Sequence, residues 1–513
     1  MASQSVSRDV PTTEPSVAQL RAVARHASER RAPWERLWRE CYAYAMPLRG
    51  HGLGPEFDPA SRAAERMYDA TAADAAEQLA ASLLAHLTPP WSRWFALRPG
   101  HAVAGDAEAG ALAEHLDEVT EQVQGHFDRS NFAVEMHQCF LDLATVGTAA
   151  LTFQEAPPGA PSAFRFAAVP MAEMLLDDEQ LGAPGRVLRR TRLAPSTLRG
   201  LFPAAGPMLD ALAPAELEGL GTLGVVECVW PLGGQFAYRA FLEQPLSASA
   251  DGWLASGTFD QSPFIVFRWL KGAGETYGRS PVMTALPDIR TANKVVELVL
   301  KNASIAVTGI WLADDDGVLN PANIRLTPGS IIPKAPGSAG LTPLQAPGRF
   351  DVSELVLSDL RARIRHTLLV DRLAPFDGPR MTATEVAERA AETARLLGAV
   401  FGRLQGELLT PLLMRALAIL RRRGVIGDVR LDGRTVDVRW QAPLARAQAR
   451  DDVRDTMLWL DQVQRLGPQA AAVVNVAAAA RWLGRTLGVP GELIIDDPLT
   501  TLATLLDGSA DAR

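Results

Sequence analysis

Residues 264–294 read FIVFRWLKGAGETYGRSPVMTALPDIRTANK, and the fold turns on how this stretch divides. FIVFRWL is a short apolar run with the length of a buried strand, closed by Arg268 and Trp269. GAGETYGRS (272–280) is glycine-rich and reads as a turn. From Ser280 to Val307 the spacing is helical. Val282, Leu286, Ile289, Val296, Val299 and Leu300 form one apolar stripe, with Lys294, Glu297 and Lys301 off it.

Upstream, residues 1–16 are polar and read as a disordered tail, and the flexible N-terminal region is placed at 1–30. From Arg31, Trp34, Leu37, Trp38, Cys41 and Met46 recur at helical spacing. Residues 67–87 form an amphipathic helix ended by Thr88-Pro89-Pro90, and 108–127 and 132–151 are further helices. Between about 152 and 270 the pattern changes to short β-rich runs, FRFAAV, RVLRRTRL, VVECVW and FAYRAFL, separated by Pro/Gly turns. The four arginines between Arg186 and Arg192 fit a strand with one solvated face, or a phosphate-binding strip. The chain is mainly α with α+β portions.

Downstream, 309–350 is turn-rich and too small to be stable alone. A helix follows to about Val370, with Val352, Leu355, Val356, Leu360, Ile364 and Leu368 on one stripe. The loop DRLAPFDGPRM (371–381) interrupts it. Thr382-Ala-Thr-Glu385 is a capping-box pattern that opens a long helix, kinked by Pro411 and stopped at Gly424. That helix spans roughly 60 Å at the α-helical rise. Residues 425–513 begin with a hairpin at 429–440 and end in helices. Gly398, Gly402 and Gly406 recur every four residues in the long helix. Each costs about 1 kcal/mol relative to alanine. Such a row fits close approach of a neighbouring subunit, or glycine tolerated at exposed positions.

The totals restrict function. A chain of 513 residues exceeds one ordinary core, and two to four domains are expected. The formal net charge of -8 argues against a sequence-specific duplex binder. Cys41, Cys139 and Cys228 lack CxxC spacing and read as free thiols in a reducing compartment. The N-terminus has no apolar signal-peptide core, and no apolar run reaches transmembrane length, so a cytosolic protein is expected. GLGTLG (219–224) matches GxGxxG but precedes a strand, whereas a dinucleotide fingerprint follows one and opens a helix. The 272–280 turn faintly resembles a phosphate loop, with Arg279 where a lysine belongs. The histidines show no HxxxH or HExxH, and Asp314-Asp315-Asp316 lacks EF-hand spacing. No catalytic constellation, metal site or cofactor is expected.

The 264–294 stretch resembles the head-to-tail connecting, or portal, proteins of short-tailed, T7-like (podovirus) phages. The resemblance lies in the Arg-Trp strand end, the Gly-Glu-x-Tyr-Gly-Arg turn and Leu-Pro-Asp-Ile-Arg-x-x-Asn-Lys. It extends to MYDATAADAAEQLAASLLAHLTPPWSRWFAL (67–97), ATVGTAAL (144–151) and RMTATEVAER (380–389), in the family order.

The resemblance implies a ring of about a dozen copies at one capsid vertex. In such a subunit 31–280 is the wing, 281–303 and 351–370 are the two stem helices, and 304–350 is the clip. Residues 371–381 are the tunnel loop, 382–424 the spine helix and 425–513 a helical crown. Asp371, Arg372, Phe376, Asp377 and Arg380 then line a DNA channel. Trp311, Arg325, Lys334 and Arg349 are clip contacts to a motor or tail, and the glycine row packs subunits. The implied partners are further copies, major capsid and scaffolding proteins, the large terminase motor, tail adaptor proteins and double-stranded DNA passing without sequence specificity. No membrane partner and no catalysis are implied. The alternative is a cytosolic phosphate- or nucleotide-binding enzyme using 272–280.

Overall fold

The computed structural model describes residues 14–47, 67–90, 92–103, 106–177, 185–212, 221–246, 252–308, 311–313, 336, 341–343, 350–370, 398, 400–441, 453, 456–466 and 474–487. In chain order the elements are α1 (Val17–Ala45), α2 (Thr71–Leu87), β1 (Phe95–Pro99), α3 (Asp106–Asp128) and α4 (Phe132–Val146). Strands β2 (Thr148–Glu155), β3 (Phe164–Val169), β4 (Met174–Asp177) and β5 (Arg186–Leu193) follow. After the short helices α5 (Pro195–Leu201) and α6 (Ala205–Asp210) come β6 (Leu223–Leu232), β7 (Gln235–Leu242), β8 (Trp253–Phe259) and β9 (Phe264–Arg268). The chain continues with α7 (Pro281–Thr308), β10 (Trp311–Ala313), β11 (Leu341–Pro343) and α8 (Phe350–Thr367). A π-helical turn (Gln405–Leu409), α9 (Thr410–Arg422), β12 (Val436–Trp440) and α10 (Val476–Leu487) complete the described elements. This is a mixed α/β fold.

Two antiparallel sheets organise the body. The larger runs β4-β5-β6-β7-β8 and is covered on one face by the first half of α1, where Leu20, Ala24 and Ala27 meet Val226, Cys228 and Phe241. The smaller runs β3-β2-β9 and packs on α4. Side chains close both of its edges. Asn131 Oδ1 accepts the Phe166 N–H (3.0 Å) and Glu135 accepts that of Ala168 (2.8 Å) on β3. Glu407 accepts the Arg268 N–H (3.0 Å) on β9. An edge whose donors are engaged offers no template for another strand.

Several sequence expectations need correction. Residues 17–30 are helix, not tail. Ser16 and Gln19 form a capping box, and the chain passes through Pro33 without ending the helix. Arg31 is buried because its guanidinium donates to the carbonyls of Met171, Ala172 and Met174. The helix expected over 132–151 stops at Val146. Gly147 adopts the left-handed conformation (φ 75°), and β2 begins at Thr148. The hairpin expected at 429–440 is not formed. Val436–Trp440 pairs instead with Phe95–Pro99, and Trp440 stacks on Trp94 at 6.2 Å. Asp432 shapes the preceding turn by accepting the N–H groups of Arg434, Thr435 and Val436. The arginine-rich strand β5 is an ion-pair ladder. Arg186 pairs with Asp177, Arg189 with Glu173 and Glu227, and Arg190 with Glu243, so three of the four arginines are engaged by carboxylates, as a solvated strand face allows.

The helix through Pro411 carries its adjustment just before the proline. Thr410 N–H reaches back five residues to Gln405 O, so the chain makes one π-turn. Proline lacks an N–H and clashes with the carbonyl four residues back, and a widened turn relieves that clash. Gly424 (φ 68°) follows the last helical residues, as expected of a helix stop.

Candidate functional site

The 264–280 stretch is the joint of the molecule. At the end of β9, Arg268 is 0% exposed. Its Nε and NH2 groups donate to the two carboxylate oxygens of Glu407 at 3.1 and 2.9 Å, and its NH1 donates to Thr276 O at 3.0 Å. Arg403 also donates to Glu407 (3.1 Å). The strand, the turn and the π-helical segment are therefore held by one guanidinium. Sequence reasoning quoted Arg268 but missed Glu407. Its signal is an acid set among Leu404, Leu408 and Leu409, all buried.

The turn itself is packed against α4 and α1. Gly278 N–H donates to Thr148 Oγ1 (2.8 Å), and a Cβ on Gly278 would lie 2.0 Å from Gly147 O. Only glycine permits that approach. Tyr277 sits edge-on to Trp38 at 4.9 Å, its hydroxyl accepts the Leu176 N–H, and burial pushes its pKa up to about 12. Ser280 Oγ donates to Thr145 O and accepts the Met283 N–H, which caps α7.

As a phosphate loop the turn is already filled. Glu275 accepts the Gly272 N–H (3.0 Å) and pairs with Arg279. A carboxylate thus occupies the donors an anion would use. The adjoining cavity of about 550 Å³ is lined by Pro33, Trp34, Leu37, Met283 and Thr284, with that same Glu275–Arg279 pair as its charge. Among the described residues no group of three or more His, Cys, Asp and Glu is placed to hold a metal. No described helix is long and apolar enough to cross a membrane.

Helices α7 and α8 form the second feature. Ile289 and Ala292 pack with Leu360, Ile364 and Leu368. Arg361 donates to the buried Asp69 (2.9 Å), and Arg363 pairs with Asp288 (3.0 Å). Asn293 Oδ1 accepts the N–H groups of Tyr68 and Asp69 at 2.7 and 3.1 Å. Burial raises the Asp69 pKa, but hydrogen bonds from Thr71 and the Arg361 guanidinium together hold it below the ordinary carboxylate range. The apolar stripes of both helices extend beyond these contacts. Leu300, Leu355 and Val356, expected on the buried stripes, are exposed.

The proposed channel residues Asp371, Arg372, Phe376, Asp377 and Arg380 lie outside the described residues, as do Arg325, Lys334 and Arg349. Trp311 lies in β10, opposite Pro343 of β11. A Cβ at Gly398, Gly402 or Gly406 would meet nothing within 4 Å, so that face of the helix is open in the single chain.

A family model described as bacteriophage head to tail connecting protein matches residues 17–495. The portal protein of Enterobacteria phage T3 is 24% identical over 422 residues, covering 79% of this chain and 74% of its own. The probable portal protein of Bordetella phage BPP-1 is 23% identical over 491 residues, covering 91% and 86%. Among solved structures, the neck of an empty gene transfer agent particle is 14% identical and covers 82% of this chain and 90% of its own. Its TM-score of 0.34 is too low to bear on this fold. The match over 17–495, which spans both sheets, the joint and the α7–α8 pair, shows that the chain belongs to the bacteriophage head to tail connecting protein family.

Proposed function

We infer that this chain is a portal protein, a non-enzymatic ring at one capsid vertex through which double-stranded DNA enters during packaging and leaves during ejection. The family match over residues 17–495 carries this reading. In it, 281–303 and 351–370, within α7 and α8 for most of their length, are the stem, 304–350 is the clip and 371–381 is the tunnel loop. The two sheets with α1–α4 belong to the wing, 382–424 is the spine and 425–513 forms the crown. The clip meets the terminase motor and later the tail, with Trp311, Arg325, Lys334 and Arg349 as its contact residues, and the wing meets capsid and scaffolding proteins. Gly398, Gly402 and Gly406 lie on an open helix face, as close packing of neighbouring subunits requires.

Asp371, Arg372, Phe376, Asp377 and Arg380 would face the DNA. Arginines balanced by aspartates suit passage, because each phosphate neutralised releases counterions and many strong contacts around a ring would arrest the duplex. The engaged carboxylate of Glu275 counts against the nucleotide-enzyme alternative.

The test is native mass spectrometry with negative-stain imaging of the purified chain. A closed ring of about a dozen copies with a central hole is expected. A protein that stays monomeric or dimeric across salt and concentration, with scaffolding protein supplied, would count against it.

A further inference from the structure

We propose that the outer parts of α7 and α8 are the two sides of a head-to-tail contact between copies of this chain. Lys294, Leu298 and Lys301 of one copy meet Glu354, Leu355 and Asp359 of the next. The inference rests on the ring reading above and deepens it. Leu298 is 49% and Leu355 74% exposed, on helices whose inner parts are buried.

The two faces carry opposite charge. Lys294, Leu298 and Lys301 stand at i, i+4 and i+7, one face of α7. Both lysines reach the same acid, Glu297, at 2.9 and 2.5 Å, so that face keeps a net positive charge. On α8, Leu355 and Asp359 stand at i and i+4 with Glu354 beside them, and residues 350–360 contain no basic side chain. The α7 face thus sets a leucine between two lysines that share one acid, and the α8 face sets a leucine near two acids.

The heights agree as well. The chain runs out along α7, and β10 and β11 pair antiparallel before it returns along α8. The Asp288–Arg363 pair sets the level between the two helices. Stepping outward from it at about 1.5 Å per residue, Lys294 lies within one turn of both Glu354 and Asp359, and Leu298 within one turn of Leu355. We take the rotation axis to run along the helix pair, which keeps these levels between neighbours. Because the contacting faces differ, the contact repeats around an axis, and it closes a ring where the rotation between copies divides a full turn. A two-fold contact through α7 alone would set lysine against lysine.

Two experiments test this. In the first, Lys294→Glu with Lys301→Glu should raise the concentration needed for assembly about ten-fold at low salt, and adding Glu354→Lys with Asp359→Lys should restore it. In the second, a Leu298→Cys/Leu355→Cys double variant under mild oxidation should give a ladder of cross-linked species beyond the dimer, and neither single variant should. Circular dichroism melts confirm that each variant folds. A wild-type ring with no ladder and no response to charge reversal overturns this contact while leaving the ring intact. A dimer from Leu298→Cys alone would also overturn it, in favour of a two-fold contact. A wild type that never assembles overturns the ring reading, and the contact with it.

Discussion

Arg268 at the end of β9 and Glu407 in the π-helical turn share three hydrogen bonds: the Arg268 backbone N–H, Nε and NH2 all donate to one carboxylate. A buried guanidinium that shares three hydrogen bonds with one carboxylate makes that carboxylate hard to replace. Glu407→Ala should destabilise the chain by about 3–5 kcal/mol, because it takes a charged partner from a buried guanidinium. An Arg268→Met/Glu407→Leu double variant should recover a large part of that loss. Urea unfolding of the three variants measures both.

The glycines fall into two kinds. Gly278→Ala would drive a Cβ into the Gly147 carbonyl, and the backbone must shift to admit it. Its thermal midpoint should fall well below wild type, by more than an ordinary surface change. Gly402→Ala enters open space in the single chain and should stabilise the isolated subunit by about 1 kcal/mol. If neighbours pack on that face, the same variant should assemble less well. The opposite signs in unfolding and in assembly identify the glycine row as a packing surface.

Asp69 should set part of the acid limit. Its folded pKa lies below the ordinary value. The stability it contributes is therefore fully present above its unfolded value of about 3.9 and is lost as pH falls through the lower folded pKa. Asp69→Asn should be less stable than wild type at neutral pH, and the gap should close below about pH 4. Urea midpoints taken across pH give the result.

The loop at 371–381 makes a functional prediction. Arg372→Ala with Arg380→Ala should leave ring assembly unchanged and alter DNA packaging or retention. Failure of that variant to assemble would make the loop a structural connector.

Much of this molecule was legible in the order of its residues, and the reasons for the failures are specific. Helix α2 ends where Thr88-Pro89-Pro90 says it should, and α7 follows its apolar stripe. Those signals are local. Helical spacing is read only from Arg31, yet α1 begins at Val17 and runs straight through Pro33. The partners of its first half lie far along the chain, in the sheet residues that meet Leu20, Ala24 and Ala27. Gly147 reads as one more residue of a helix until Gly278 is seen against it. The role of Glu407 depends on a strand well over a hundred residues earlier. Leu355 looks like core by its spacing and is surface in the single chain, because periodicity does not say what covers a face.

The pairing of β1 with β12 also orders events in time. Phe95–Pro99 cannot acquire its partner until Val436–Trp440 has been synthesised, at roughly 5–20 residues per second. Contacts so distant in sequence carry a loop-closure cost that local contacts do not, and they form late. The core that holds Phe95, Leu97 and Val436 therefore cannot close until residue 440 has been made, so a subunit shorter than that cannot complete its fold. Neighbours that join only completed subunits are protected by this delay from incorporating a truncated one.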